Sequence, residues 1–337
     1  MEYFNFTDAY CIKHFGYAFS PVLRVMQLYH VVSTVLAIWA ILHFFLRFRA
    51  HFVLHPNIRI LFTCQFIACL IHSTFLGAFQ AHHFYTSLTT TEPCGVILAP
   101  STYLTFQLPF AVSLFCIEFS EVMMLIERCV ASYFFAYYEK VDTRLGHLLL
   151  FFAIFIPAMF AYMIYSVETY ETPYVSALTT PKTAANLING LFSILIFLNI
   201  CGLVISSYLY HYNKKQQKRA SFVLSSRYQS NENLTSSKML TMLTTMQLVI
   251  FLVYGVSQFS FRIFFTNEFY ATDIAQSLII LGYTPPLYCL ALPLISMIFI
   301  KQSQKERSFN ILSLVQVKST GREGWRNYSQ QLAQQWN

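Results

Sequence analysis

Two carboxyls one helical turn apart, Glu118 and Glu121, and an adjacent Glu127-Arg128 pair end a run that carries no other charge from Gly95 onward. An acid inside such a run is costly in lipid and must face a bundle interior. There it is either an ion or proton site coupled to a conformational change, or a carboxyl hydrogen-bonded to a neighbouring helix. Arg128 keeps its charge and presents a fixed fork of donors. At a helix end it can pair with a carboxylate in one state and meet a partner in another, which is what a switch requires. The plainer alternative is an anchor on the cationic side of a membrane.

Other chemistries fail on position. His51 and His55 with His82-His83 have the composition of a di-iron box, yet a charge-free run of membrane length separates the two pairs. No Gly-x-Ser-x-Gly, P-loop or H-x-x-H-H pattern occurs, and Asp8, Asp142 and Asp273 form no intramembrane pair. The last apolar run has no Lys for a Schiff base. The reading is therefore not an enzyme, with no cofactor and no metal.

The elements that hold these residues follow from composition. A soluble domain carries about 25% charged residues; this 337-residue chain has 11%, with 56% hydrophobic residues, 34 Phe and 22 Tyr. A hydrocarbon layer of roughly 30 Å needs about 20 helical residues. Seven charge-free runs meet that length: Val25 to Leu46, Ile60 to Ala81, Gly95 to Ile117, Leu145 to Val167, Thr183 to Asn213, Met239 to Phe261 and Ile274 to Ile300. Strands crossing lipid would show shorter, alternating segments. The fold class is an all-α membrane protein, a seven-transmembrane helix bundle over 22–300, after an extracellular segment 1–21 and before a cytoplasmic tail 301–337.

All but four (Lys13, Arg24, Lys182, Arg262) of the 22 Lys and Arg fall on one side of this threading. The cationic side stays in the cytoplasm, so the N-terminus is expected outside and the C-terminus inside. The net charge of +7 is then a topology signal and not a nucleic-acid site. Glu2 and Asp8 precede a first apolar run too long for a signal peptide, so the first span is read as its own insertion signal. Of three N-x-S/T sequons, Asn5 is the one expected outside and open to glycosylation, whereas Asn233 and Asn327 are expected inside. Six of the eight cysteines lie in spans or at their inner ends, which leaves Cys11 and Cys94 in the oxidising exterior. A bridge between them is expected, the alternative being two free thiols.

Pro285, Pro286 and Pro293 predict a kinked or unwound seventh span. The fifth run continues into Lys214, Lys215, Lys218 and Arg219, and the polar stretch Ser225 to Ser237 reads as the longest inner loop. Beyond Lys301, apolar Phe309, Ile311, Leu312, Leu314 and Val315 fit an amphipathic helix over 301–317 on the inner leaflet, and the residues after Lys318 read as disordered.

Seven spans with Glu127-Arg128 after the third resemble a G-protein-coupled receptor. More narrowly, Glu127, Arg128 and Ala131 followed by Tyr138-Glu139, with Leu224-Ser225-Ser226-Arg227-Tyr228-Gln229 and Glu232-Asn233 before the sixth span, resemble the nematode chemosensory serpentine receptors of the class alpha and alpha/beta group. The resemblance covers about Val22 to Val317. It implies a plasma-membrane protein of sensory neurons that binds small odorant- or tastant-like molecules and activates a heterotrimeric G protein. Its coupling face would hold Glu127, Arg128, Tyr138, Lys214, Lys215, Lys218, Arg219, Arg227 and Tyr228.

The chain departs from rhodopsin-like receptors: Leu292-Pro293-Leu294-Ile295-Ser296 stands in place of Asn-Pro-x-x-Tyr, the sixth span lacks Trp and Pro, and the second has no acid. Activation details of that class therefore do not transfer.

The ligand pocket is expected between the outer halves of spans three, five, six and seven. Span three would supply Phe106, Gln107, Phe110 and Ser113, and span five Asn189, Phe192, Ser193 and Phe197. Tyr254, Gln258 and Phe261 would come from span six, and Gln276 and Tyr283 from span seven. Apolar walls with few polar groups suit a small, weakly polar molecule; for each residue, helix packing or lipid contact is the alternative role. The competing function is a channel or small transporter with Glu118 and Glu121 on its path, which would pass current in cells lacking G-protein function.

Overall fold

The computed structural model describes residues 11, 20–48, 54–134, 138, 142–167, 178, 184–219, 224–264, 273–315 and 321–336. Their helices are α1 (Pro21–Arg47), α2 (Pro56–Thr89), α3 (Pro100–Tyr133), α4 (Arg144–Tyr165), α5 (Ala185–Arg219), α6 (Leu224–Phe264), α7 (Asp273–Leu281), α8 (Pro285–Val315) and α9 (Gly321–Trp336), with a 3-10 turn at Pro93–Val96. Proline opens α1, α2, the 3-10 turn, α3 and α8. Its missing N–H is lost there without cost, and its fixed φ already suits the helix.

Among the described residues, seven helical stretches are long and apolar enough to cross a membrane, the seventh running from Ser277 to Glu306 across α7 and α8. The protein is thus a seven-helix membrane bundle. α3 is its axis: 72% of its apolar window is buried, against 22% for α5. α3 packs on α2, α4, α5 and α6, while α8 closes the ring against α1, α2 and α6. Trp39, Phe151, Phe155, Val204 and Val253 stand exposed on the outside, and Gln65, His72, Glu118, Glu121 and Gln247 are buried. Apolar outside and polar inside is the arrangement that lipid imposes.

The seventh span is broken where the prolines predict. α7 ends at Leu281, and Gly282, Tyr283 and Thr284 leave the helix before Pro285. The carbonyls near the break are taken up by side chains of other helices: His30 Nε2 bonds the Ile280 oxygen at 2.9 Å, Ser257 donates to the Gly282 oxygen at 3.1 Å and Gln258 to the Ile279 oxygen at 3.4 Å. Helix breaks survive in lipid only with such replacements.

Three expectations are revised. The polar stretch from Ser225 to Ser237 is not a loop but the first turns of α6. It contains no Pro or Gly, and it buries Ser230, Asn233, Ser236 and Ser237. Residues 301–315 belong to α8 itself. The tail expected to be disordered includes the helix α9.

Cys11 and Cys94 form a disulfide across a sequence separation of 83, joining residue 11 to the 3-10 turn between α2 and α3. Asn5 lies outside the described residues.

Candidate functional site

At the end of the bundle opposite the disulfide, the backbone of α3 carries Glu127 and Arg128 inward. Their side chains are 0% and 1% exposed. The guanidinium bonds the Glu127 carboxylate through Nε and Nη2, and its Nη1 reaches Asn233 Oδ1 of α6 at 3.5 Å. The same carboxylate accepts the Tyr138 hydroxyl, and the Tyr138 ring lies under the guanidinium with 5.9 Å between Cζ and its centroid. A buried pair of this kind is strongly destabilised when one partner is lost, because the other charge stays buried.

Tyr138 is held in turn by the start of α2. Asn57 Nδ2 donates to the Tyr138 oxygen at 3.2 Å, while Asn57 Oδ1 accepts the Gly146 amide at 3.1 Å and so joins α2 to α4. Burial pushes the His55 imidazole below its ordinary value, against the opposing pull of the Glu127 carboxylate. The ring is tilted against Tyr138 with 4.4 Å between centroids, and its Nδ1 accepts the Asn57 backbone amide at 3.4 Å. Burial, and then the Glu127 charge, push the Tyr138 phenol up, so its proton stays in place to be donated. On the other flank Asn213 of α5 donates to Ser132 at 3.0 Å and to Ser237 at 2.8 Å, and Asn233 donates to the Ala131 carbonyl at 3.4 Å. One arginine thus sits where α2, α3, α4, α5 and α6 are tied together by side chains.

Of the expected coupling residues, Glu127, Arg128 and Tyr138 meet in this lock. Lys214, Lys215 and Lys218 are exposed on α5, Lys214 lying 5.8 Å from the Tyr210 ring. The side chains of Arg219, Arg227 and Tyr228 lie outside the described residues. Asn57 and Asn213 went unrecognised in the sequence, although an Asn just inside a Pro-opened helix and another ending an apolar run were visible signals.

Gly146 has a specific role here. A Cβ at this position would stand 2.8 Å from Asn57 Oδ1 and 2.9 Å from Asn57 Cα. Gly146→Val is expected to push α4 from α2 and cost about 1–3 kcal/mol. Thermal unfolding of the purified protein measures this, and an unchanged midpoint would show that the contact tolerates a side chain.

Toward the disulfide end, the centre is His72 of α2, which is fully buried. Its Nε2 lies 3.0 Å from the Tyr283 hydroxyl and its Nδ1 3.5 Å from Ser113 Oγ, while Phe110 stacks on the ring at 4.7 Å. Tyr254 meets Tyr283 edge-on at 5.1 Å and Phe192 meets Tyr254 at the same distance. Phe110, Ser113, Phe192, Tyr254 and Tyr283 are therefore brought together, around a histidine the pocket reading had missed. A polar ring inside an apolar span was its signal.

Gln107 is buried nearby with Oε1 unpartnered, and Phe106 turns to Phe79 and His82 of α2. Gln258 is used at the α7 break. Asn189 is half-buried, accepting the Ser193 hydroxyl on its carbonyl at 2.9 Å. Ser193 and Phe197 do not join the cluster: both are exposed on the outer face of α5, Phe197 by 64%. The Gln276 side chain lies outside the described residues. Among the described residues, no group of three His, Cys, Asp or Glu could hold a metal.

Comparison with known proteins finds relatives that match nearly the whole chain. Residues 9–337 match the family model described as serpentine type 7TM GPCR receptor class ab chemoreceptor. Serpentine receptor class beta-17 of Caenorhabditis elegans is 39% identical over 334 residues, covering 98% of this chain and 92% of the relative. Serpentine receptor class beta-16 of the same organism is 28% identical over 329 residues, with 97% and 96% covered.

Proposed function

Because the chain belongs to the serpentine class ab family of seven-helix chemoreceptors, we propose that it binds a small, weakly polar molecule near its disulfide-bearing end and activates a heterotrimeric G protein at the other. The N-terminus is outside and the plasma membrane of sensory neurons is the site of action, in keeping with the Lys and Arg asymmetry and the disulfide. The ligand meets the aromatic and hydroxyl groups around His72, with Gln107 as a further acceptor. No fixed cation or carboxylate is part of that cluster as described, so a neutral molecule suits it.

The observation that carries the coupling half is the buried Arg128, held at once by its own helix, by Tyr138 and across to α6. The described arrangement is the closed one. Agonist shifts a pre-existing equilibrium toward a form in which α6 leaves Arg128. The guanidinium then faces the G protein, and Lys214, Lys215 and Lys218 meet the protein or anionic lipid. The test is Arg128→Ala, measured as agonist-driven G-protein activation per receptor at the cell surface. The expected result is a loss of at least tenfold, as for an interaction of about 1.4 kcal/mol or more; normal signalling from a surface-expressed variant would remove the assignment.

A further inference from the structure

Inside the bundle, Glu118 of α3 accepts from Asn199 of α5 at 2.7 Å and from Gln247 of α6 at 3.1 Å, and Gln65 of α2 donates to the Tyr288 hydroxyl of α8 at 2.7 Å. On the lipid-facing side, one charge stands at the mouth of a cavity. A groove of about 880 Å³ runs along α2 between α1 and α4. Phe45 and Leu46 of α1 and Leu150 and Ile154 of α4 form its sides. Arg59, Thr63 and Ile67 of α2 recur every fourth residue, with Ile60 and Cys64 beside them, and this face forms its floor. Arg59 follows closely on Asn57, the partner of Tyr138, so the groove belongs to the end of the bundle that holds Arg128.

Its depth and polarity are those of one lipid. The rise from Arg59 to Ile67 is about 12 Å along a helix, close to one leaflet of a hydrocarbon layer roughly 30 Å thick. Thr63 gives its proton to the Arg59 carbonyl at 2.8 Å, so beyond Arg59 the walls present mainly apolar surface. Leu46, Ile67 and Ile154 are exposed, and the groove is open to the bilayer. Arg59 is exposed too, and among the described residues it forms no salt bridge. Arg144, at the start of α4, is by contrast held by Asp142 at 3.3 Å.

An apolar groove open to a bilayer is filled by acyl chains in any case, and a cation at its mouth selects the headgroup they carry. The Arg stem lies along apolar surface while its guanidinium stays at the interface, where its fork of donors matches a phosphate. A zwitterionic headgroup brings its own cation beside the guanidinium, and a sterol offers only a neutral hydroxyl. We propose that this groove binds one anionic phospholipid, with its phosphate on Arg59 and an acyl chain along Ile60, Ile67, Leu150 and Ile154. The lipid covers the seam that Asn57 and Gly146 make between α2 and α4, and its binding stabilises that packing. The site stands whether or not the cationic end couples to a G protein.

The experiment is native mass spectrometry of the purified full-length protein, offered equal amounts of phosphatidylinositol and phosphatidylcholine with the same acyl chains. Phosphatidylinositol is expected to be retained about fivefold over phosphatidylcholine, the effect of one cation at an anionic surface. Arg59→Gln should remove that preference. Ile154→Trp, which fills the groove and keeps the charge, should lower retention of phosphatidylinositol. Arg326→Gln, which removes an exposed cation on α9, should change neither. Should the variants fail to fold, thermal unfolding of the unaltered protein is compared in nanodiscs of phosphatidylcholine with and without phosphatidylinositol. The midpoint is expected to rise roughly 2–4 °C with the anionic lipid, and both leaflets carry it, so the result does not depend on which way the protein faces. Equal retention of the two lipids, a preference undiminished in Arg59→Gln, retention undiminished in Ile154→Trp, an equal loss in Arg326→Gln, displacement of phosphatidylinositol by cholesterol, or equal midpoints would each overturn the proposal.

Discussion

Glu127→Ala is expected to signal without agonist. In the described arrangement Glu127 is the carboxylate bonded to Arg128, and the remaining polar contact, to Asn233, is long at 3.5 Å. Removing the carboxylate leaves a fully buried guanidinium uncompensated, a change worth about 3–5 kcal/mol in buried pairs. The penalty falls on the closed arrangement, because in the proposed open one Arg128 would meet water or the G protein. If only a third of it separates the two states, about 1.4 kcal/mol, the closed-to-open ratio falls tenfold. Basal G-protein activation per surface receptor should therefore rise at least tenfold, with a lower thermal midpoint. Tyr138→Phe, which removes one hydroxyl bond to Glu127, is worth only about 1 kcal/mol and should shift basal activity less. Wild-type basal activity together with an unchanged midpoint in Glu127→Ala would dismiss the lock.

Cys94→Ser comes second in size. The bridge closes a separation of 83 residues, and free chains cross-linked over such lengths gain about 4.5 kcal/mol. Two of the segments inside this loop are spans α1 and α2, which remain helical in the bilayer even when the bundle has come apart. Less chain entropy is then available to remove, and about 2–4 kcal/mol is the expected loss. It should appear as a midpoint lowered by several degrees or more, with reduced surface expression. Cys11→Ser should match it, and the double variant should be no worse than either single one, since all three remove the same bond. A double variant that loses twice as much would show that each thiol has a separate role.

Much of the architecture was legible because lipid imposes a single rule. A charge-free run of sufficient length must be a helix, and the positions of Pro21, Pro56, Pro100 and Pro285 marked four starts. What misled was polarity. Ser225 to Ser237 reads as a loop by composition, yet its small hydroxyl and amide side chains are what allow α6 to lie close to α3 and α5 near Arg128. At the α7 break the sequence showed only the prolines, and the partners, His30 of α1 and Ser257 and Gln258 of α6, belong to other helices.

The candidate sites divide in the same way. Glu127 and Arg128 stood out in the sequence as a charge pair at a helix end, whereas Tyr138 was named only through the family resemblance. Asn57 meets Tyr138 across 81 positions and His72 meets Tyr283 across 211, and no local pattern announces such pairs. Ser193 and Phe197 were assigned to the pocket by span and depth alone, but the rotation of α5 turns them outward.

The sequence by itself determined how many times the chain crosses the bilayer, because the absence of water inside a membrane permits no other form for long uncharged runs. Which side chain faces which was decided only by tertiary structure. Each helix can turn about its axis and slide along its neighbours while remaining apolar on most sides, so hydrophobicity does not set the rotation. It is set by the few buried polar groups, Arg128, Glu118, Asn57, His72 and Gln65, which must find partners on other helices wherever those can be met.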